Sequence, residues 1–206
     1  MSVFTGEVVM NWSLFQVLNR LSVLMVFALT AAVSGCSTTT PTLDTSQPDV
    51  MQHLAFDGIQ QMQKGKFDKA RKIFSVGLRN DPRSCTLNTL NALSYQLEGR
   101  NNNVALLNLA MAGYKVAIRF CPNDPWPYYY SGVISLQTKH YLSADKNFKT
   151  AVDILKDTQD HGDLTALYRA YLYSAYKSGQ VSDGKEALAQ LSKLAPDSPL
   201  VKPLHG

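Results

Sequence analysis

The sequence has few cysteines, few charges and none of the short motifs that mark common enzyme classes. Three cysteines in 206 residues exclude a disulfide-dense mini-protein, and a hydrophobic content of 45% excludes a disordered or collagen-like chain. A net charge of +4 is too small to indicate the positively charged surface that nucleic-acid binding requires. The four histidines are isolated, and no HExxH, GxSxG, P-loop or CxxC sequence is present. We therefore expect no enzyme activity, no metal site, no cofactor, no nucleic-acid partner and no small-molecule substrate.

The N-terminal segment indicates export and lipidation. Residues 21–33 form an uncharged apolar run after Arg20, shorter than the about 20 residues needed to span a bilayer. The sequence Val-Ser-Gly-Cys at 33–36 resembles the lipobox of bacterial lipoproteins. That resemblance implies a signal peptide over residues 1–35, a lipidated Cys36 and, because Ser37 rather than Asp follows, an outer-membrane anchor facing the periplasm. The alternative is a buried apolar helix that ends at an incidental cysteine.

Two further features concern the translation start and the segment that follows the signal peptide. Translation begins either at Met1 or at Met10, and a start at Met10 gives a leader of more usual length. Residues 36–49 are rich in Thr, Ser and Pro and have little apolar content, so we expect a flexible linker after the lipidated cysteine.

A pattern of small and aromatic residues recurs along the rest of the chain. In its clearest unit, Ala70, Phe74 and Gly77 share one helical face and Pro82 closes the unit. The first small position recurs at Ala70, Ala110, Ala144 and Gly184, the aromatic position at Phe74, Tyr114, Phe148 and Leu188, and the second small position at Gly77, Ala117, Ala151 and Leu191. This frame resembles the tetratricopeptide repeat (TPR), a helical hairpin that stacks on its neighbours because it cannot bury its apolar face alone. The alternative, a helical bundle without repeats, does not account for the recurring register.

The resemblance predicts an all-α fold, a TPR-like α-α superhelix of about four hairpins over residues 50–196. Helices are expected over residues 50–63, 67–80, 86–98, 103–120, 126–138, 141–156, 164–178 and 183–194. Successive units are separated by 40, 34 and 40 residues, so the second and fourth exceed the usual length. The extra residues of the second unit either lengthen its second helix or widen its turn, and those of the fourth lie in 155–163. Residues 197–206 form a C-terminal tail.

Cys85 and Cys121 are a candidate disulfide. They stand at the start of the first helix and the end of the second helix of unit two, which lie at the same end of an antiparallel hairpin. An oxidising compartment favours the bond, which would contribute about 4 kcal/mol through loop closure. The alternative is two separate thiols with Cα atoms more than about 7 Å apart.

The TPR resemblance also implies where a partner binds. In TPR proteins the first helices of the hairpins line a concave groove, and here the corresponding residues are Ile59, Met62, Thr89, Leu93, Gln96, Trp126, Tyr129, Val133 and Leu136. Such a groove suits an extended segment or a helix of another protein, with large aromatic residues as anchors. Trp126 either contacts that partner or packs between the second and third units.

The anchor and the repeats together suggest a functional class. The chain is similar to the TPR lipoproteins that act as pilotins or assembly factors for type IV or tight-adherence pili. This similarity implies a membrane-anchored periplasmic scaffold that binds another envelope protein. The alternative is an adaptor lipoprotein for peptidoglycan hydrolases or synthases.

Overall fold

The computed structural model describes residues 48–156 and 164–201. Within these ranges the chain contains eight α-helices, one 3-10 helix and no strand. The helices are α1 (Pro48–Gln63), α2 (Phe67–Asn80), α3 (Cys85–Glu98), α4 (Val104–Phe120), α5 (Pro125–Gln137), α6 (Tyr141–Lys156), α7 (Thr165–Ser178) and α8 (Val181–Leu194), and the 3-10 helix is Gly99–Asn101. The predicted all-α fold is confirmed, and each α-helix begins and ends within two residues of its expected position.

Several predictions concern residues outside the described ranges. They are the signal peptide over 1–35, the lipidated Cys36, nearly all of the linker over 36–49, and most of the extra segment of the fourth unit. Within the described ranges, no helix has the length and apolar content that a membrane span needs.

The helices pair in sequence as four hairpins, and consecutive hairpins contact one another. Helix α3 packs against α1 and α2, and α7 packs against α5 and α6. The small and aromatic residues of the repeat frame are buried in α2, α4 and α6, so the recurring register is the packing surface of the hairpins. In α8 the buried residues are Ala187 and Leu191, whereas Leu188, assigned to the aromatic position, is half-buried. The frame weakens there because α8 offers no aromatic ring to fill that position.

Glycine in the first helix of a hairpin makes room for the aromatic ring of the second. A Cβ atom built on Gly58 of α1 would lie 2.0 Å from Phe74 Cε1 of α2. The equivalent glycine of α5, Gly132, faces Phe148 of α6, with 2.6 Å from such a Cβ atom to the ring. Only a residue without a side chain allows the two helices to approach this closely.

The turns of the first, third and fourth hairpins share one backbone geometry. Gly65, Lys139 and Gly179 each follow a first helix and adopt positive φ angles of 69°, 62° and 76°. The amide of the next residue closes each turn; His140 N–H, for example, donates to the carbonyl oxygen of Ser135 at 2.8 Å. Lys139 incurs a steric penalty here that the two glycines avoid, because its Cβ atom disfavours the left-handed region.

The second hairpin accommodates its extra residues in two places. Its turn contains the 3-10 helix Gly99–Asn101, and α4 has 17 residues, against 14 in α2. The sequence predicted either a longer second helix or a wider turn in this hairpin, and the structure has both. The side chain of Asn103 begins α4 by accepting a hydrogen bond from the backbone N–H of Leu106 at 3.3 Å.

Cys85 and Cys121 lie at the same end of the second hairpin. The structure joins them in a disulfide, with their Cα atoms 6.1 Å apart. At the other end of the array, Val201 is fully buried and Leu200 is 39% exposed, so the first residues of the tail fold back onto the body.

Candidate binding surface

The structure divides the nine predicted groove residues into two sets. Six are buried, with at most 7% of each residue exposed: Ile59 and Met62 on α1, Thr89, Leu93 and Gln96 on α3, and Tyr129 on α5. The other three, Trp126, Val133 and Leu136, are half-buried and all lie on α5. Spacings of seven and three residues place these three on one face of that helix. The accessible part of the candidate surface is therefore concentrated on α5.

An aromatic cluster supports this face of α5. The ring of Tyr130 stacks on Tyr114 of α4 with centroids 5.7 Å apart, and Trp126 lies 6.5 Å from Tyr130. Tyr129 contacts Trp126 edge-on at 6.1 Å and lies 5.9 Å from Phe148 of α6. Such aromatic pairs contribute about 0.5–1.5 kcal/mol each beyond the area that they bury. The cluster therefore holds Trp126 against Tyr129 and Tyr130, and Tyr130 links the second and third hairpins through Tyr114.

Burial keeps the phenols of the cluster neutral, and one of them donates a hydrogen bond. Burial raises the pKa of Tyr129 to about 12, and burial followed by the nearby Tyr130 raises the pKa of Tyr114 well above its ordinary value. The Tyr114 hydroxyl donates to Oε1 of Gln96 at 2.5 Å. Gln96 is thus held by the second helix of its own hairpin, a contact that the sequence analysis did not predict.

Asp124 and Pro125 set the beginning of α5. The Asp124 carboxylate accepts a hydrogen bond from the backbone N–H of Trp126 at 3.0 Å, and Pro125 occupies the first turn, where its missing N–H costs nothing. This N-terminal cap orients the first turn of α5, which carries Trp126.

Apart from the aromatic cluster, a polar cluster joins the third and fourth hairpins. Lys149 of α6 lies 3.3 Å from Glu186 and 3.7 Å from Asp183 of α8, and its Nζ donates to the Tyr171 hydroxyl at 3.4 Å. Burial alone would lower the pKa of Lys149, but the hydrogen bonds to Tyr171 and Glu186 outweigh it and raise that pKa. Lys156 also pairs with Glu186, and this hydrogen bond lowers the pKa of the Glu186 carboxyl. The cluster therefore holds α8 against α6.

Asp145 of α6 is the buried acid beside this cluster. Only 3% of the residue is exposed, and its Oδ1 has no hydrogen-bond partner among the residues that the structure describes. Burial, with the neighbouring Asp183 as a second cause, raises the pKa of Asp145 to about 6. No group of three or more His, Cys, Asp or Glu side chains that could hold a metal ion occurs in residues 48–156 and 164–201.

Comparison with solved structures identifies the fold as TPR-like. PilF of Pseudomonas aeruginosa matches with a TM-score of 0.61 and 18% identity, covering 74% of this chain and 64% of that one. TTC0263, a TPR protein of Thermus thermophilus, matches with a TM-score of 0.58 and 15% identity, covering 77% and 81%. The Yersinia enterocolitica type III secretion chaperone SycD, in complex with a peptide of the translocator YopD, matches with a TM-score of 0.56 and 17% identity, covering 65% and 98%. No protein-family profile and no curated protein sequence matches the chain.

Proposed function

We propose that this protein is a membrane-anchored periplasmic TPR scaffold that binds another envelope protein during the assembly of pilus-type or secretion-type machinery. The observation that carries the proposal is the half-buried face of α5, where Trp126, Val133 and Leu136 lie together on an ordered aromatic cluster. A large aromatic side chain that is held in place loses little entropy on binding, which is why such residues anchor protein interfaces.

Two of the similar structures support a protein as the partner. SycD is described in complex with a peptide of the translocator YopD, and PcrH, at 21% identity and a TM-score of 0.54, in complex with the chaperone binding region of PopD. The apolar residues on the α5 face suit an amphipathic helix or an extended segment of such a partner. The membrane anchor and the periplasmic location rest on the lipobox-like sequence before Cys36.

Site-specific crosslinking in living cells tests the partner. A photo-crosslinking amino acid in place of Trp126 should yield one dominant adduct, identified by mass spectrometry as an envelope assembly protein. The matched control places the same amino acid at Lys185, an exposed position on α8. An adduct at position 185 and none at 126 would refute the binding face, and capture of a peptidoglycan hydrolase or synthase at 126 would replace the assembly role.

Metabolic labelling with a fatty-acid analogue tests the anchor independently. The wild-type chain should incorporate the label and fractionate with the outer membrane, whereas a Cys36→Ser variant should lose both properties. A wild-type protein that keeps residues 1–35 and carries no fatty acid would refute the anchor. That result would leave the α5 binding face unaffected.

A further inference from the structure

The second helix of the second hairpin, α4, exposes a row of apolar side chains, two of which, Leu109 and Ala112, have polar or charged counterparts at the same frame positions of the other hairpins. Its packed face buries Leu107, Ala110, Tyr114 and Ala117. Its other side exposes Leu109 (50%), Val116 (39%) and Phe120 (38%), with Ala105 one turn before Leu109 and Ala112 between Leu109 and Val116. Spacings of four, three, four and four residues place Ala105, Leu109, Ala112, Val116 and Phe120 in one continuous stripe. We call these five residues the α4 stripe.

The repeat frame supplies an internal control for this observation. One residue before the first small position, α4 has Leu109 where the other second helices have Lys69, Ser143 and Asp183. Two residues after that position, α4 has Ala112 where the others have Lys72, Lys146 and Glu186. The packing of a hairpin therefore does not require apolar residues at these places, and the α4 stripe needs an explanation of its own.

Basic side chains border the α4 stripe, and α4 itself carries no acidic one. Lys115 and Arg119 are exposed on α4, which contains no Asp or Glu, and the Arg83 guanidinium lies 5.8 Å from the centre of the Phe120 ring. Arg100 is exposed in the turn before α4. Between Asp81 and Asp124 the sequence has one acidic residue, Glu98, whose Oε2 lies 2.7 Å from Arg71 Nη1 of α2.

We infer that the α4 stripe rests on the surface of an anionic phospholipid bilayer. Apolar side chains flanked by Lys and Arg are the composition of helices that lie in the membrane interface, where anionic headgroups attract the cations. A second copy of the chain fits less well, because it would bring Lys115 and Arg119 against another α4 that has no carboxylate. The inference depends on the proposed lipid anchor only because that anchor would bring the α4 stripe to the membrane.

Fluorescence quenching by brominated lipids tests the inference in the full chain. With Trp12 and Trp126 replaced by Phe, one tryptophan is introduced by Leu109→Trp, and a matched control by Ser143→Trp, the same frame position one hairpin later. In vesicles of phosphatidylglycerol and phosphatidylethanolamine, Leu109→Trp should show blue-shifted emission and several-fold stronger quenching than Ser143→Trp. Adding Lys115→Glu and Arg119→Glu should remove most of that difference. Vesicles of phosphatidylcholine alone should give a smaller difference.

Three results would overturn the inference. They are equal quenching at positions 109 and 143, quenching that is unchanged by the two charge reversals, and a blue shift at 109 that depends on protein concentration without vesicles. The third result would indicate a second copy on the α4 stripe. Flotation of the same samples with vesicles reports the attachment of the whole chain, so failure of the anchor and failure of the stripe give different readouts.

Discussion

Gly58→Ala should destabilise the protein, although alanine is ordinarily the better helix former. The added Cβ atom would lie 2.0 Å from Phe74 Cε1 and 2.4 Å from Cζ, about 1.5 Å closer than carbon atoms approach without repulsion. Phe74 is fully buried, so its ring cannot move aside without displacing α2. Overpacking of this kind costs about 1–3 kcal/mol or more, against a gain of about 1 kcal/mol in helix propensity. We expect a net loss of up to about 2 kcal/mol.

Urea denaturation followed by far-UV circular dichroism measures this loss. With a slope of about 2 kcal/mol per molar urea, the transition midpoint should fall by up to about 1 M. Gly184→Ala in α8 is the matched control, because its Cβ atom would lie an ordinary 3.7 Å from Ala175 Cβ. That variant should gain about 0.5–1 kcal/mol, and Phe74→Leu should partly rescue Gly58→Ala. If Gly58→Ala raised the midpoint as Gly184→Ala does, the close approach of α1 to Phe74 would be wrong.

Three further predictions concern the turns, the buried acid and the disulfide. Lys139→Gly should raise the free energy of unfolding by about 1 kcal/mol in urea denaturation, because glycine adopts the positive φ of 62° without strain, and no gain would contradict this. The pKa of Asp145, about 6 in the folded protein, lies above its ordinary 3.8, so the folded state binds this proton more tightly and stability should rise as the pH falls through that interval. Asp145→Asn should weaken that dependence and be the more stable protein at neutral pH, and an unchanged pH profile would argue against the buried acid. Reducing the Cys85–Cys121 bond, which spans 36 residues, should lower the free energy of unfolding by up to about 4 kcal/mol, whereas a Cys85→Ala, Cys121→Ala double variant should not respond to reductant.

The sequence predicted the helices well because their signals are local. Periodic apolar residues indicate the helices, and Pro82 after α2, with Asp124 before α5 and Pro125 in its first turn, fixes helix ends through neighbouring residues alone. The repeat frame then predicted which residues pack, and the structure confirms that Phe74, Tyr114 and Phe148 are fully buried.

The parts that the sequence did not predict depend on contacts between distant residues. Stacking of Tyr114 on Tyr130 joins two hairpins, and the pair Lys149–Glu186 is separated by 37 positions, so no local spacing indicates either contact. The sequence also did not predict the solvent exposure of the groove residues, because the TPR positions that line a groove do not specify how far Ile59 or Leu93 is buried. The exposed α4 stripe is different, because its lack of acidic residues is readable in the sequence once the repeats are aligned.

The covalent link across the second hairpin has a mechanical consequence for a chain held at one end and loaded at the other. Under tension, hairpins without such a link can unfold one by one, and each adds its unfolded length to the chain. Cys85 and Cys121 bracket 36 residues of sequence separation, so the link withholds roughly 120 Å of extensible length from a pulling force. A pulling force transmitted along the chain would therefore pass through the disulfide and load the neighbouring hairpins first.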